Sequence, residues 1–377
     1  MLSFIRSDLT QVSTYKADPE GSEDQAAVVD RLDTNECPYD LPIQVKAKLM
    51  AQYQNQIEAN RYPNGDHLHV KRAIANYVNE AVPGFDSSWI SVGNGSDELI
   101  RSVLMATCLG GEGSILVAQP TFSMYGILAK TLGIPVVTIN RLESFEMDLS
   151  QAREAVAQSK SPPIRVVFVV HPNSPTANPL TDAEVQWLER LPENILVVVD
   201  EAYFEFSQCT MLSRVLARPN WLVFRTFSKA FRLAAHRVGY AIAHPEVTAT
   251  LEKMRLPYNL TAVSLAAAEV AMQHRETLLA ILPEIMAERD QLLKQLSSLP
   301  QLQIWPSAAN FIYARGESMQ VSEQIYLAMK KQGSSIRFTG GGLRITVGTS
   351  EENRRTWERL VQTVANFQPL VAVGEHR

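Results

Sequence analysis

Uninterrupted apolar runs punctuate the first two thirds of the chain: WISV, SILVA, IPVVTI, RVVFVV, ILVVV, WLVF and VGYAIA. Runs this short, without polar alternation, suit strands buried on both faces. Helical spacing separates most of them. Ile43, Ala47, Met50, Tyr53 and Ile57 fall on one helical stripe, which ends at Pro63 and Gly65 in RYPNGD. After Gly93 and Gly95, the residues Leu99, Ile100, Val103 and Leu104 predict another helix, with Ser96 as its N-cap. Strands alternating with helices imply a largely parallel sheet with right-handed crossovers. This predicts a large domain over residues 41–265. From residue 266 the pattern changes. Amphipathic spacing runs from Thr277 to Leu296, interrupted by Pro283, and short strands follow in LQIWP, ANFIYAR, SSIRF and LRITVG. A smaller α+β domain is expected over residues 266–377, joined by an N-terminal arm within residues 1–40 whose stretch 18–24 is polar and turn-rich.

Composition narrows the class. The 377 residues suffice for two domains, and a 46% hydrophobic share excludes a disordered chain. A net charge of −5 shows no nucleic-acid footprint. The N-terminus lacks a signal-type apolar core, and no window approaches the roughly 18 apolar residues of a membrane span. Cys37, Cys108 and Cys209 are widely spaced, predict buried reduced thiols, and form no metal-type cluster. A cytoplasmic protein without a metal, membrane or nucleic-acid partner is expected.

Chemistry-bearing residues collect where the predicted strands end, the usual place for sites on parallel sheets. RVVFVVHPN ends in Asn173, ILVVVD in Asp200, and VFRTFSK in Lys229. Thr226 and Ser228 edge the lysine, and Arg237 follows it by eight residues. Alone, that run suits a surface lysine in a basic loop as well as a reactive amine. With Asp200 upstream, another reading opens. A lysine can form a Schiff base with pyridoxal phosphate, hydroxyls and an arginine can bind its phosphate, and an acid can keep its ring nitrogen protonated. Tyr203 and Asn173 are candidates for its phenolic oxygen. The GNGSDELI turn opens the predicted helix and suits an anion at its amino end. It lacks the third glycine of a dinucleotide fingerprint; Glu98 stands there.

These strings, with NECPY, RYP, ANF and LRITVGT, resemble the fold-type-I pyridoxal-phosphate aminotransferases, and within them the histidinol-phosphate aminotransferases, over nearly the whole chain. The resemblance implies a mostly parallel seven-stranded sheet between helices in the large domain. It implies Lys229 as the catalytic amine. Ser96, Asp97, Phe122, Asn173, Asp200, Tyr203, Thr226, Ser228 and Arg237 would hold the cofactor, with Phe122 stacked on its ring. Asp97 is unexpected beside a phosphate, so the backbone and Ser96 would be the main anion ligands. Tyr62 would cross a homodimer interface to the other subunit's cofactor phosphate. Tyr15, Arg337 and Arg344 would bind substrate, Arg337 at the phosphate of histidinol phosphate and Arg344 at the α-carboxylate of glutamate. Asn35, Glu36, Pro38 and Tyr39 would form a loop at the mouth of the site. The implied reaction moves an amino group between L-histidinol phosphate and 2-oxoglutarate in histidine biosynthesis.

Three positions depart from that family. Ala177 and Arg232 stand where glycine is usual, and His236 replaces an apolar residue. Alanine at 177 is expected to hold its turn only with a negative φ. Aromatic aminotransferases and threonine-phosphate decarboxylases share the catalytic groups and stay open as alternatives. A non-catalytic cofactor-binding regulator is a further reading, disfavoured by the intact Lys229 and the lack of an extra basic domain.

Overall fold

The computed structural model describes residues 2, 4–11 and 29–365. The described chain divides into two compact units. One is built chiefly from Tyr39–Ser174 and Asn178–Leu282, the other from residues 29–38, Pro175–Ala177 and 283–365. Tyr15 lies outside the described residues.

The first unit carries a seven-stranded sheet: β1 Ile90–Asn94, β2 Ser114–Gln119, β3 Val136–Asn140, β4 Ile164–Val170, β5 Leu196–Asp200, β6 Trp221–Thr226 and β7 Val238–Ala243. The spatial order is β1-β7-β6-β5-β4-β2-β3. The pairs from β6 through β3 are parallel; β7 runs antiparallel to both β6 and β1. Every residue of β6 and β7 is buried. A strand covered on both faces has no reason to alternate, which is why these runs read as continuous apolar segments.

Helices flank the sheet, and one of them differs from the sequence reading. The helix Gly95–Thr107 starts one residue before Ser96, so Ser96 lies inside its first turn and the N-cap is Asn94. The Glu98 carboxylate takes over the capping role, accepting the Asn94 amide and the Asn259 Nδ2–H. The helix Ile43–Gln56 forms where its spacing predicts, but its stripe does not face the core: Ile43, Met50 and Tyr53 are exposed and only Val45 is buried.

The second unit has an antiparallel sheet in the order Arg337–Thr339, Gly342–Thr346, Phe311–Arg315, Gln303–Ile304. Helices Met319–Lys331 and Ser350–Ala365 pack on it around Ile312, Ile325, Leu343, Ile345 and Leu360. Asp30–Arg31 pairs in parallel with Ser334–Ser335. The buried Asp30 carboxylate binds Arg355 and Arg359, each at 2.6 Å, which ties this early segment to the last helix. No helix among the described residues is long and apolar enough to cross a membrane.

Two expectations are corrected. Ala177 has φ 63° and Arg232 φ 61°, so both occupy the left-handed region that a glycine takes without strain. Their surroundings hold them there. The Ala177 carbonyl accepts the Ala308 amide at 3.0 Å, and the Arg232 guanidinium donates to the carbonyls of Asp40 (3.0 Å) and Leu278 (2.8 Å). The cysteines are not uniformly buried: Cys108 is, Cys37 is half-buried and Cys209 is exposed.

Candidate active site

Three neighbouring parallel strands deliver the central groups. β5 ends on Asp200. Asn173 lies three residues beyond β4, and Lys229 three beyond β6. Asp200 is almost wholly buried. The Tyr125 hydroxyl donates to its Oδ2 at 2.8 Å, and the Ala202 amide to its Oδ1 at 3.1 Å. Both donors are neutral. Burial pushes the Asp200 carboxyl up to about 6, which these hydrogen bonds only partly offset. Burial and the adjacent Asp200 charge push the Tyr125 phenol well above its usual range, so it stays a donor.

Tyr125 is the residue the sequence reading missed. It sits in helix Met124–Thr131, fully buried, stacked on Phe168 at 4.6 Å and met edge-on by Phe122 at 5.5 Å. A tyrosine in SMYGILAK reads as a core aromatic, and only its position across from Asp200 gives the hydroxyl a purpose. Tyr203 is buried too, close enough that its charge would raise Tyr125 further.

A second cluster gathers two hydroxyls, an arginine and an acid. Thr226 and Ser228 are buried with their hydroxyls 3.0 Å apart. The Ser228 amide donates to Thr226 Oγ1 at 3.0 Å, and Arg237 Nη1 to Ser228 Oγ at 3.4 Å. Arg237 Nη2 meets Asp97 Oδ2 at 3.2 Å. Burial raises the Asp97 carboxyl, while Arg237 and Lys229 pull it down. Two glycines make the approach possible. A Cβ on Gly95 would stand 2.6 Å from Arg237 Nη2, and one on Gly239 would stand 2.6 Å from the Ser96 amide nitrogen. The amino end of helix Gly95–Thr107, with Ser96 in its first turn, therefore lies directly against β7 and the arginine.

The first unit thus brings together Ser96, Asp97, Phe122, Asn173, Asp200, Tyr203, Thr226, Ser228, Lys229 and Arg237. Tyr62 is elsewhere on that unit, 80% exposed and stacked on Tyr258 with ring centroids 4.5 Å apart. In the second unit, Arg337 and Arg344 are direct cross-strand partners. Arg344 lies 5.6 Å from the Phe311 ring centroid and donates to the Asp33 carbonyl. The Asn35 amide donates to Thr346 Oγ1 at 3.0 Å, and Asn310 Nδ2 to the Asn35 carbonyl at 3.1 Å, so the loop around Asn35 is fastened to the same sheet.

The family model for aminotransferase class I and II matches residues 28–360. A histidinol-phosphate aminotransferase of Trichodesmium erythraeum is 56% identical over 374 residues, covering 96% of this chain and 99% of its own. Histidinol-phosphate aminotransferase 2 of Nostoc sp. is 58% identical over 371 residues, covering 94% and 96%. In fold, the chain resembles the crystal structure of histidinol-phosphate aminotransferase from Sinorhizobium meliloti in complex with pyridoxal-5'-phosphate. The TM-score is 0.81 at 21% identity, over 91% of this chain and 92% of that one.

Proposed function

The chain belongs to the class I and II aminotransferases, and on that premise we propose that it is a histidinol-phosphate aminotransferase, exchanging an amino group between L-histidinol phosphate and 2-oxoglutarate. The observation that carries this is identity above one half along nearly the full length of relatives bearing that activity's name. An aromatic aminotransferase or a threonine-phosphate decarboxylase would share the strand-end groups but has no comparable support.

The residues fit pyridoxal phosphate. Asp200 is a buried carboxylate with neutral donors around it, suited to a cationic ring nitrogen. Thr226, Ser228, the Ser96 amide and Arg237 form a donor set for a phosphate. When bound, the cofactor supplies an aldehyde carbon for the amino group and a ring that accepts the electrons of the substrate Cα–H bond. Lys229 would hold the cofactor through its amine and would carry the proton from the substrate Cα. A lysine amine ordinarily titrates near 10.4, so neighbouring positive charge and burial must lower it for that task. Asp200 would keep the proton on the ring nitrogen, with Tyr125 keeping the Asp200 carboxylate oriented. Asn173 and Tyr203 would bind the phenolic oxygen, and Phe122 would cover the ring face.

Arg337 and Arg344 serve the two substrates. Direct cross-strand like charges disfavour one another, and a bound anion would offset that repulsion. Arg337 takes the phosphate of histidinol phosphate and Arg344 the α-carboxylate of glutamate; guanidinium forks accept either group. Tyr15 joins the substrate from the N-terminal arm.

A second copy of the chain completes the enzyme. Ile43, Met50, Tyr53, Leu256 and the stacked pair Tyr62 and Tyr258 are exposed on the first unit, apolar area that a second copy would cover. In that dimer Tyr62 would contact the cofactor phosphate of the other subunit, and Tyr62→Ala is expected to weaken cofactor binding, measured by titration of dimers verified by sedimentation.

The decisive assay compares amino donors with 2-oxoglutarate as acceptor. Histidinol phosphate is expected to give the highest kcat/KM. Faster turnover of phenylalanine, or release of carbon dioxide from threonine phosphate, would overturn the assignment.

A further inference from the structure

Arg141 follows β3, the edge strand of the large sheet, and its side chain turns inward along the strand ends. Nε donates to the carbonyls of Ala118 (3.2 Å) and Pro120 (3.1 Å), and Nη1 to the carbonyl of Phe145 (2.8 Å). Nη2 donates to Oδ1 of Asn173 at 3.1 Å. The same Oδ1 accepts the Thr121 hydroxyl at 3.1 Å, and Asn173 Nδ2 donates to the Pro120 carbonyl at 3.1 Å. Asn173 and Thr121 are buried.

A side-chain amide can turn over and exchange its oxygen for its nitrogen; a guanidinium cannot, because it has no acceptor. The amide edge facing Arg141 must therefore be the carbonyl oxygen. Asn173 consequently meets a ligand with its N–H edge. A positive charge hydrogen-bonded to the amide oxygen also polarises the amide and strengthens that N–H as a donor.

We propose that Arg141 is a positioning residue for amino transfer: through Asn173 Oδ1 it fixes the amide as an N–H donor to the anionic ring oxygen of the cofactor. This rests on the cofactor reading above. Burial lowers the guanidinium only to about 10, so it remains cationic wherever the enzyme works. Lysine cannot replace it fully, since one ammonium cannot span acceptors on residues 118, 120, 145 and 173.

The test reads the bound cofactor's visible absorbance against pH. A ring oxygen whose negative charge is shared with Asn173 holds a nearby proton less tightly, so losing Arg141 raises the midpoint. Arg141→Met is expected to shift it upward by about one pH unit, the size of one charged hydrogen bond. Thr121→Ala, which removes the other donor to Oδ1, shifts it the same way by less. In an Asn173→Ala background, Arg141→Met adds no further shift. An unchanged midpoint with a lowered melting temperature of the apoprotein would make Arg141 a structural clamp only and overturn the proposal. So would an equal shift with and without Asn173. If Arg141→Met does not fold, Arg141→Lys in both backgrounds gives the same comparison. A protein that takes up no cofactor absorbance at all indicts the cofactor reading instead.

Discussion

Asp200 and Glu201 are consecutive acids at the end of one strand, and they meet opposite environments. Alternation along the strand sends their side chains to opposite faces. Glu201 is fully buried and paired with Arg225 at 2.9 Å, side chains 1% and 0% exposed. The Thr210 hydroxyl and the Met211 amide bind it too, and the Arg225 guanidinium lies 3.5 Å from the Phe204 ring centroid. Asp200 is buried as deeply, yet its hydrogen bonds come from a phenol and an amide. A charge held for the fold brings its counter-ion with it. On the proposed reading, Asp200 is a charge held for chemistry: it is buried against neutral donors, and its raised carboxyl is tolerated because a cationic ring nitrogen would pair with it.

The contrast can be broken from either side. Lys229→Ala, on the site side, is expected to lower amino transfer by about 10⁴-fold or more while the apoprotein melts as before. A matching loss of stability would show that Lys229 is structural. Arg225→Met, on the fold side, strands the Glu201 charge and should cost about 3–5 kcal/mol, read as a lower denaturant midpoint. Pairing it with Glu201→Gln should recover much of that loss; no recovery would mean the ion pair is not the source.

Asp200→Asn sharpens the comparison, because its two effects have opposite signs. Cofactor binding should weaken roughly 10- to 100-fold, the loss of a charged hydrogen bond. The apoprotein should gain up to about 3 kcal/mol near pH 8. The sign follows from the raised folded-state value. Asp200 moves from 3.8 to about 6, so the stability tied to it is full below 3.8 and lost as pH rises through 6. Glu205, buried beside Tyr77, moves from 4.5 to about 7 and adds loss in the next stretch. The apoprotein's melting temperature should therefore fall between about pH 4 and 7, and the cofactor-loaded protein's should fall less. Parallel curves would exclude Asp200 as the responsible group.

The smallest effect belongs to Tyr125→Phe. Its hydroxyl lowers the Asp200 carboxyl, so removing it should raise that group by about one unit or less and loosen the cofactor several-fold. The core around Phe168 should stay packed, with little change in melting temperature. A large destabilisation would make Tyr125 a core residue first.

Much of this was legible in the chain. The buried strands announced themselves as unalternating apolar runs, because a strand covered on both faces selects apolar residues throughout. Asn173, Asp200 and Lys229 could be read at their ends, because a parallel sheet exposes its chemistry where the strands stop. Periodicity records which residues resist water, and not what covers them. It therefore gave the helix at Ile43–Gln56 but not what lies against Ile43, Met50 and Tyr53, which the first unit leaves exposed. The turns at Ala177 and Arg232 were equally hidden, since a positive φ is held by distant hydrogen bonds and not by the residue itself.

Residue type and local spacing thus determined the sheet, the strand-end groups and the kind of chemistry they allow. Only the tertiary structure decided how those groups are aimed. Tyr125 reaches Asp200 across 75 positions and Arg141 reaches Asn173 across 32. Hydrogen bonds of that sequence separation exist only once the strands between them have packed, so no local pattern can announce them.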